Sequence, residues 1–127
     1  MSADAGQRDR PGFRDLWFLP KVVRVEIARV RYPEPRQFVI DRKLQEVDEA
    51  VEIVVHTSEE LPERAVAPVL FVGDHRLTES EPAGFRKYRF FAFDSTALKE
   101  DAPISLGWDV AQSPRSETGV RYKLQPE

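Results

Sequence analysis

Apolar residues in this chain recur mostly at every second position, in short runs separated by proline, glycine and acidic clusters. That is the period of half-buried strands. The densest run is Phe85-Arg-Lys-Tyr-Arg-Phe-Phe-Ala-Phe-Asp94, five rings in nine residues, which predicts a central strand. Its phases separate into Tyr88, Phe90 and Ala92, the expected interior face, and Phe91 and Phe93 on the other. Upstream, Val22 to Tyr32 predicts a strand whose apolar phase switches near residue 28, from Val23, Val25 and Ile27 to Ala28, Val30 and Tyr32. A β-bulge or a crossing between sheets would produce the switch. Pro33 and Pro35 then end the strand, and Gln37 to Asp41 reads as a short edge piece.

Glu46 to Thr57 predicts a strand with Val51, Ile53, Val55 and Thr57 inward and Glu52, Val54 and His56 outward. Val69-Leu-Phe-Val-Gly73 is apolar on both phases and belongs in a sheet centre covered on both sides. Asp74 to Ser80 continues as a bent or edge strand, and Pro82-Ala-Gly84 reads as the turn before the aromatic strand. Asp94 or Ser95 caps a single helical turn through Leu98. Ile104, Leu106, Trp108 and Val110 alternate with Ser105, Gly107 and Asp109, a half-buried strand. Residues 111 to 119 form a hairpin loop, and Val120, Tyr122 and Leu124 lie on the last strand.

Seven to eight short strands with frequent turn signals and no long helix predict an all-β fold, a single two-sheet antiparallel β-sandwich. The segment Leu98-Lys-Glu-Asp-Ala-Pro-Ile-Ser-Leu-Gly-Trp108 resembles the crossover and following strand of immunoglobulin-like and fibronectin-III-like domains, where a leucine plugs the sandwich end. The resemblance spans roughly residues 46 to 124 and implies an immunoglobulin-like architecture. The chain departs from the antibody pattern in having no cysteine pair and in placing its tryptophan on the penultimate strand. Sandwiches of this kind carry unrelated functions, so the resemblance implies a fold and no activity.

The domain is expected over residues 21 to 125, preceded by a tail and hydrophobic arm over residues 1 to 20. The tail, residues 1 to 12, is polar and aperiodic. The arm, Phe13-Arg-Asp-Leu-Trp-Phe-Leu-Pro20, is too short to hold a helix alone and stops at a proline. Phe13, Leu16, Trp17 and Phe18 must therefore dock, either on the chain's own sandwich or on a partner or second copy. Phe91 and Phe93, with Val54 and either Leu70 or Val72, leave a sheet face with more apolar area than water tolerates. The arm or another protein is expected to cover it. These six aromatic and leucine positions, Phe13, Leu16, Trp17, Phe18, Phe91 and Phe93, are the candidate partner-binding residues.

Composition narrows the chemistry. A length of 127 residues suits one core, and ten prolines against six glycines suit short strands. The absence of cysteine removes disulfides, thiolate metal sites and cysteine nucleophiles. The first residues lack the apolar core of a secretion signal, which predicts a cytoplasmic protein, and no apolar run approaches the ~20 residues a membrane span needs. Residues 1 to 43 hold ten basic and six acidic side chains, and residues 44 to 127 hold nine and sixteen. This asymmetry fits a basic strand lying beside acidic ones or a head-to-tail contact between copies, and because a polyanion binder would normally show a basic total, nucleic acid is not expected.

Candidate catalytic groups are sparse. Asp74 and His75 with Ser80 or Ser95 would supply the residue types of a hydrolase, but adjacent acid and base on a strand point apart and no nucleophile elbow is present. Two separated histidines make no zinc spacing. Asp94, Glu100 and Asp101, or Glu59, Glu60 and Glu63, could gather calcium, but no EF-hand run is present. Arg86 to Phe90 interleaves bases and rings as a stacking platform does, yet strand geometry puts the rings on one buried face. No cofactor is expected. The expectation is a non-catalytic module acting through protein contacts in assembly, scaffolding or an accessory subunit, including a homo-oligomer. The alternatives are a carbohydrate or small-ligand binder using aromatics and the loops at 74–84 and 111–119, and a minor hydrolase.

Overall fold

The structure, a computed structural model, describes residues 18–63 and 66–124. Eight strands are present among them: β1 (Val22–Ile40), β2 (Lys43–Thr57), β3 (Pro68–Val72), β4 (His75–Leu77), β5 (Ser80–Gly84), β6 (Lys87–Ala92), β7 (Pro103–Trp108) and β8 (Ser116–Arg121). They form two four-stranded antiparallel sheets, ordered β1-β2-β6-β5 and β4-β3-β7-β8. The core lies between the sheets. Val51, Ile53, Val55, Phe90 and Ala92 face it from the first sheet, and Leu70, Val72, Leu77, Ile104 and Leu106 from the second. The register pairs Ile53 with Phe90 and Val51 with Ala92, so the two apolar phases read from sequence share one face.

The second sheet is covered on both sides, as the continuous apolar run of β3 requires. Val69 and Phe71 face outward from it and are still buried, at 0% and 8% exposure. The β7–β8 loop covers Phe71. Arg115 lies over the Phe71 ring at 3.7 Å, and Ser113 Oγ accepts a hydrogen bond from the Trp108 amide. Gly107 is the residue that permits this approach, because a Cβ there would sit 2.8 Å from the Phe71 ring. Trp108 itself is 1% exposed and is a core residue. Leu98 plugs the core after a 3-10 turn, Ser95–Ala97, whose Thr96 amide is capped by Asp94.

Several expected boundaries change. β1 does not stop at Pro33; it continues to Ile40 and pairs with β2 on both sides of an irregularity. Arg31 pairs with Glu49 and Arg36 with Val47, so residues 32–35 face Asp48 alone. The two prolines fall inside this bulge, where their missing N–H groups cost no ladder bond. No bulge lies at residue 28, since the pairing is regular from Arg24 to Arg31; an irregularity at Val23 turns Val22 inward and leaves Val23 61% exposed. Ser80–Gly84, expected to contain a turn, is edge strand β5, and the turn falls at Phe85 and Arg86, with Arg86 at φ +57°. The aromatic strand is accordingly shorter than expected, and β8 begins four residues earlier than the loop reading allowed.

Candidate functional site

The long β1–β2 hairpin is the feature that sets the outer surface of the first sheet. Its turn, Asp41-Arg42, has both residues left-handed, at φ +53° and +65°. That is the two-residue turn whose twist matches paired strands, built without glycine. Below the turn, the bulge at 32–35 lets the hairpin bend, and its tip lies back on the outer face of its own sheet.

Phe38 is the anchor. Its ring is tilted against Phe91 and Phe93, with centroids 4.8 Å away in each case, and it joins Ala50 and Phe91 in a second buried cluster. Tyr32, Ile40, Val47 and Phe93 pack around it. The apolar face that sequence reasoning left to the N-terminal arm or a partner is thus covered by the chain's own hairpin. Phe91 is 3% exposed and Phe93 is half-buried. Of the other candidates, Phe13, Leu16 and Trp17 lie outside the described residues, and Phe18 is half-buried at the opposite end of the sandwich, its carbonyl accepting from Trp108 Nε1 at 3.3 Å.

A polar ladder borders the cluster. Tyr32 Oη donates to Glu52 at 2.7 Å, Arg89 Nη1 donates to Glu81 at 2.6 Å, and Arg36 Nη2 donates to the other Glu81 oxygen at 3.0 Å. Arg89 Nε lies 3.1 Å from Glu52, off the N–H axis, so that contact is ionic and not a hydrogen bond. The Arg36 guanidinium also stands 4.9 Å over Phe38 and 5.2 Å over Phe91, a cation–π arrangement. Burial opposes ionisation of Glu81, but the bonds from Arg36 and Arg89 outweigh it and hold the carboxyl below its ordinary range. Tyr32 is pushed well up, first by burial and then by its bond to Glu52. Arg36 belongs to the hairpin and Glu81 to β5, so this ladder ties the tip across the full width of β6.

What the tip presents to water is a cross-strand apolar pair. Val39 is opposite Leu44, and the two are 54% and 65% exposed. Arg42 and Lys43 flank them. Between the tip and the passage from β4 to β5 lies a cleft of about 360 Å³, lined among others by Ile40, His75, Thr78, Glu79 and Phe93. A second cleft, about 480 Å³, opens at the other end of the sandwich beside Leu61, Pro68, Tyr88 and Trp108.

His75 stands exposed at the start of β4 and Ser80 opens β5. His56 is engaged with Glu26 on the outer face of the sheet, and that contact holds the Glu26 carboxyl below its ordinary range. No group of three or more metal-ligating side chains converges among the described residues, and no helix among them is long and apolar enough to cross a membrane. The tip pair was the feature missed from sequence. Its signal was the Val39-Ile-Asp-Arg-Lys-Leu44 pattern, apolar residues flanking a two-residue turn. No family model, no curated protein and no solved structure matches the chain.

Proposed function

We propose that the protein is a non-catalytic, immunoglobulin-like module that assembles with a protein partner or a second copy through the tip of its β1–β2 hairpin. The observation that carries this reading is the Val39–Leu44 pair, more than half exposed on a hairpin whose other side is clamped to the sheet. Exposed apolar side chains on a pre-organised element bind with little ordering cost. Arg42 and Lys43 at the turn favour a partner rimmed with acidic groups. Phe91 and Phe93 take part from beneath, as the seat that holds the tip in place. The immunoglobulin-like topology is supported by strand order: β1-β2-β6-β5 and β4-β3-β7-β8 correspond to strands A-B-E-D and C′-C-F-G of such domains.

The test pairs affinity capture from the source cells with sedimentation, using the wild-type chain and a Val39→Ser/Leu44→Ser double variant. The reading predicts a partner, or a self-association constant, that weakens at least tenfold in the variant while thermal unfolding stays unchanged. Binding that is indifferent to both substitutions contradicts it. A small-ligand role draws on the 360 Å³ cleft under the tip. A glycan panel that shifts the amide resonances of Ile40, Thr78 and Glu79 would favour it over protein assembly.

A further inference from the structure

The tip of the β1–β2 hairpin and the cleft beside Leu61 lie at opposite ends of the sandwich. β2 runs from Lys43 at the turn to Thr57, and the chain reaches Leu61 four residues later. The tip is clamped to its own sheet through Phe38, so it cannot turn back to the cleft of the same chain. It can reach the cleft of another.

The two surfaces match in chemistry. The tip carries the exposed apolar pair Val39 and Leu44, and its turn holds Arg42 and Lys43 against the single acid Asp41. The cleft, about 480 Å³, is lined by Leu61, Pro62, Val66, Pro68 and Tyr88, all half-buried, with buried Trp108 also on its wall. Glu63 lines it too, and residues 58–67 hold three acids, Glu59, Glu60 and Glu63, against one base, Arg64. Arg86, whose amide donates to Glu60 at 2.9 Å, carries its guanidinium over the Phe85 ring. An apolar tip with a basic turn thus meets an apolar cleft bordered by acids, the arrangement that orients association. The Leu61 amide donates to Tyr88 Oη at 3.3 Å, and a wall of prolines and a tethered tyrosine loses little freedom when it is covered.

We propose that Val39 and Leu44 of one copy seat in the Leu61–Tyr88 cleft of a second copy, with Arg42 and Lys43 beside the acids at 59–63. This rests on the hairpin-tip reading and names the occupant, which is the chain itself. Donor and receiving surfaces differ, so the contact is heterologous. Each added copy keeps one tip or one cleft unfilled, and association continues into a ring or an open chain.

The test is complementation between two variants of the full chain, followed by sedimentation. Val39→Ser/Leu44→Ser removes the tip pair, and Pro62→Arg/Val66→Arg places two cations in the cleft. Wild type is expected to grow past a dimer as its concentration rises, and each variant alone to associate at least tenfold more weakly. An equimolar mixture unites one intact cleft with one intact tip, and is expected to form a dimer and nothing larger. A second measurement needs no cleft variant: wild type added to ¹⁵N-labelled Val39→Ser/Leu44→Ser chain is expected to shift the amides of Leu61, Val66 and Tyr88 and to leave Ile53 and Phe90 unmoved. A monomeric wild type, a wild type that stops at a dimer, a mixture that stays monomeric, or absence of those shifts overturns the proposal. If Val39→Ser/Leu44→Ser weakens association and Pro62→Arg/Val66→Arg does not, this inference falls and the hairpin-tip reading stands. If Val39→Ser/Leu44→Ser associates as wild type does, both fall.

Discussion

Phe90 on the inner face of β6 and Phe91 on its outer face are neighbours in sequence and both withdrawn from water, at 0% and 3% exposure, yet they are buried by different means. Phe90 is enclosed by the opposing sheet, an apolar surface formed by several strands at once. Phe91 is enclosed by one hairpin, held by one ring, Phe38, and by a ladder of partly exposed charges. The inner layer cannot open without unfolding the domain. The outer layer is a flap whose attachment can fail alone, because its contacts are few and lie close to solvent.

The largest expected effect comes from the inner layer. Phe90→Ala should cost about 3–5 kcal/mol, read as a lower denaturation midpoint with the whole domain lost in one transition. Phe38→Ala should cost about 2 kcal/mol, since its site opens to solvent and can collapse onto Phe91 and Phe93. Hydrogen exchange would then show lost protection for residues 36–47 with Val51 to Val55 still protected. If Phe38→Ala unfolds the whole domain instead, the distinction between the layers breaks.

The polar ladder should matter less. A double-mutant cycle on Arg36 and Glu81, whose side chains are 39% and 32% exposed, should give a coupling of about 0.5–1 kcal/mol, reduced by salt. Its pH dependence has a definite sign. The folded-state pKa of Glu81 is depressed below its ordinary value of 4.5, so its contribution is present above that value and is lost as pH falls through the folded pKa. Wild type and Glu81→Gln should therefore draw together in thermal midpoint as pH falls below 4.5 and meet once the folded carboxyl has taken up its proton. The smallest effect concerns the turn. Arg42 is left-handed at φ +65°, so Arg42→Gly should stabilise the tip by about 0.5 kcal/mol, seen as slower exchange at residues 39–44.

The inner layer was legible in the sequence and the outer one was not, for a physical reason. Val51, Ile53 and Val55, like Tyr88, Phe90 and Ala92, alternate without interruption, and alternation alone assigns them to one face. The hairpin was concealed by Pro33 and Pro35, which signal a strand end unless a bulge takes them out of the ladder, and whether a bulge forms depends on a partner strand the local sequence does not reveal. β5 was hidden likewise by Pro82 and Gly84, tolerable on an edge. The phase switch in β1 was read as a bulge or a crossing between sheets, and neither lies at residue 28; Ala28, Val30 and Tyr32 face the side on which the hairpin lies. Phe91 and Phe93 were rightly seen to need a cover. The cover came from Phe38, in a segment too polar on average to suggest one.

The most direct measurement of the cis-covered face is a ring-to-ring NOE experiment on the wild-type chain with phenylalanine side chains assigned. With Phe38 centred 4.8 Å from both Phe91 and Phe93, cross-peaks from Phe38 to both rings are expected, at intensities independent of protein concentration. A Phe38 ring with solvent-like shifts and no cross-peak to Phe91 or Phe93 would contradict the account.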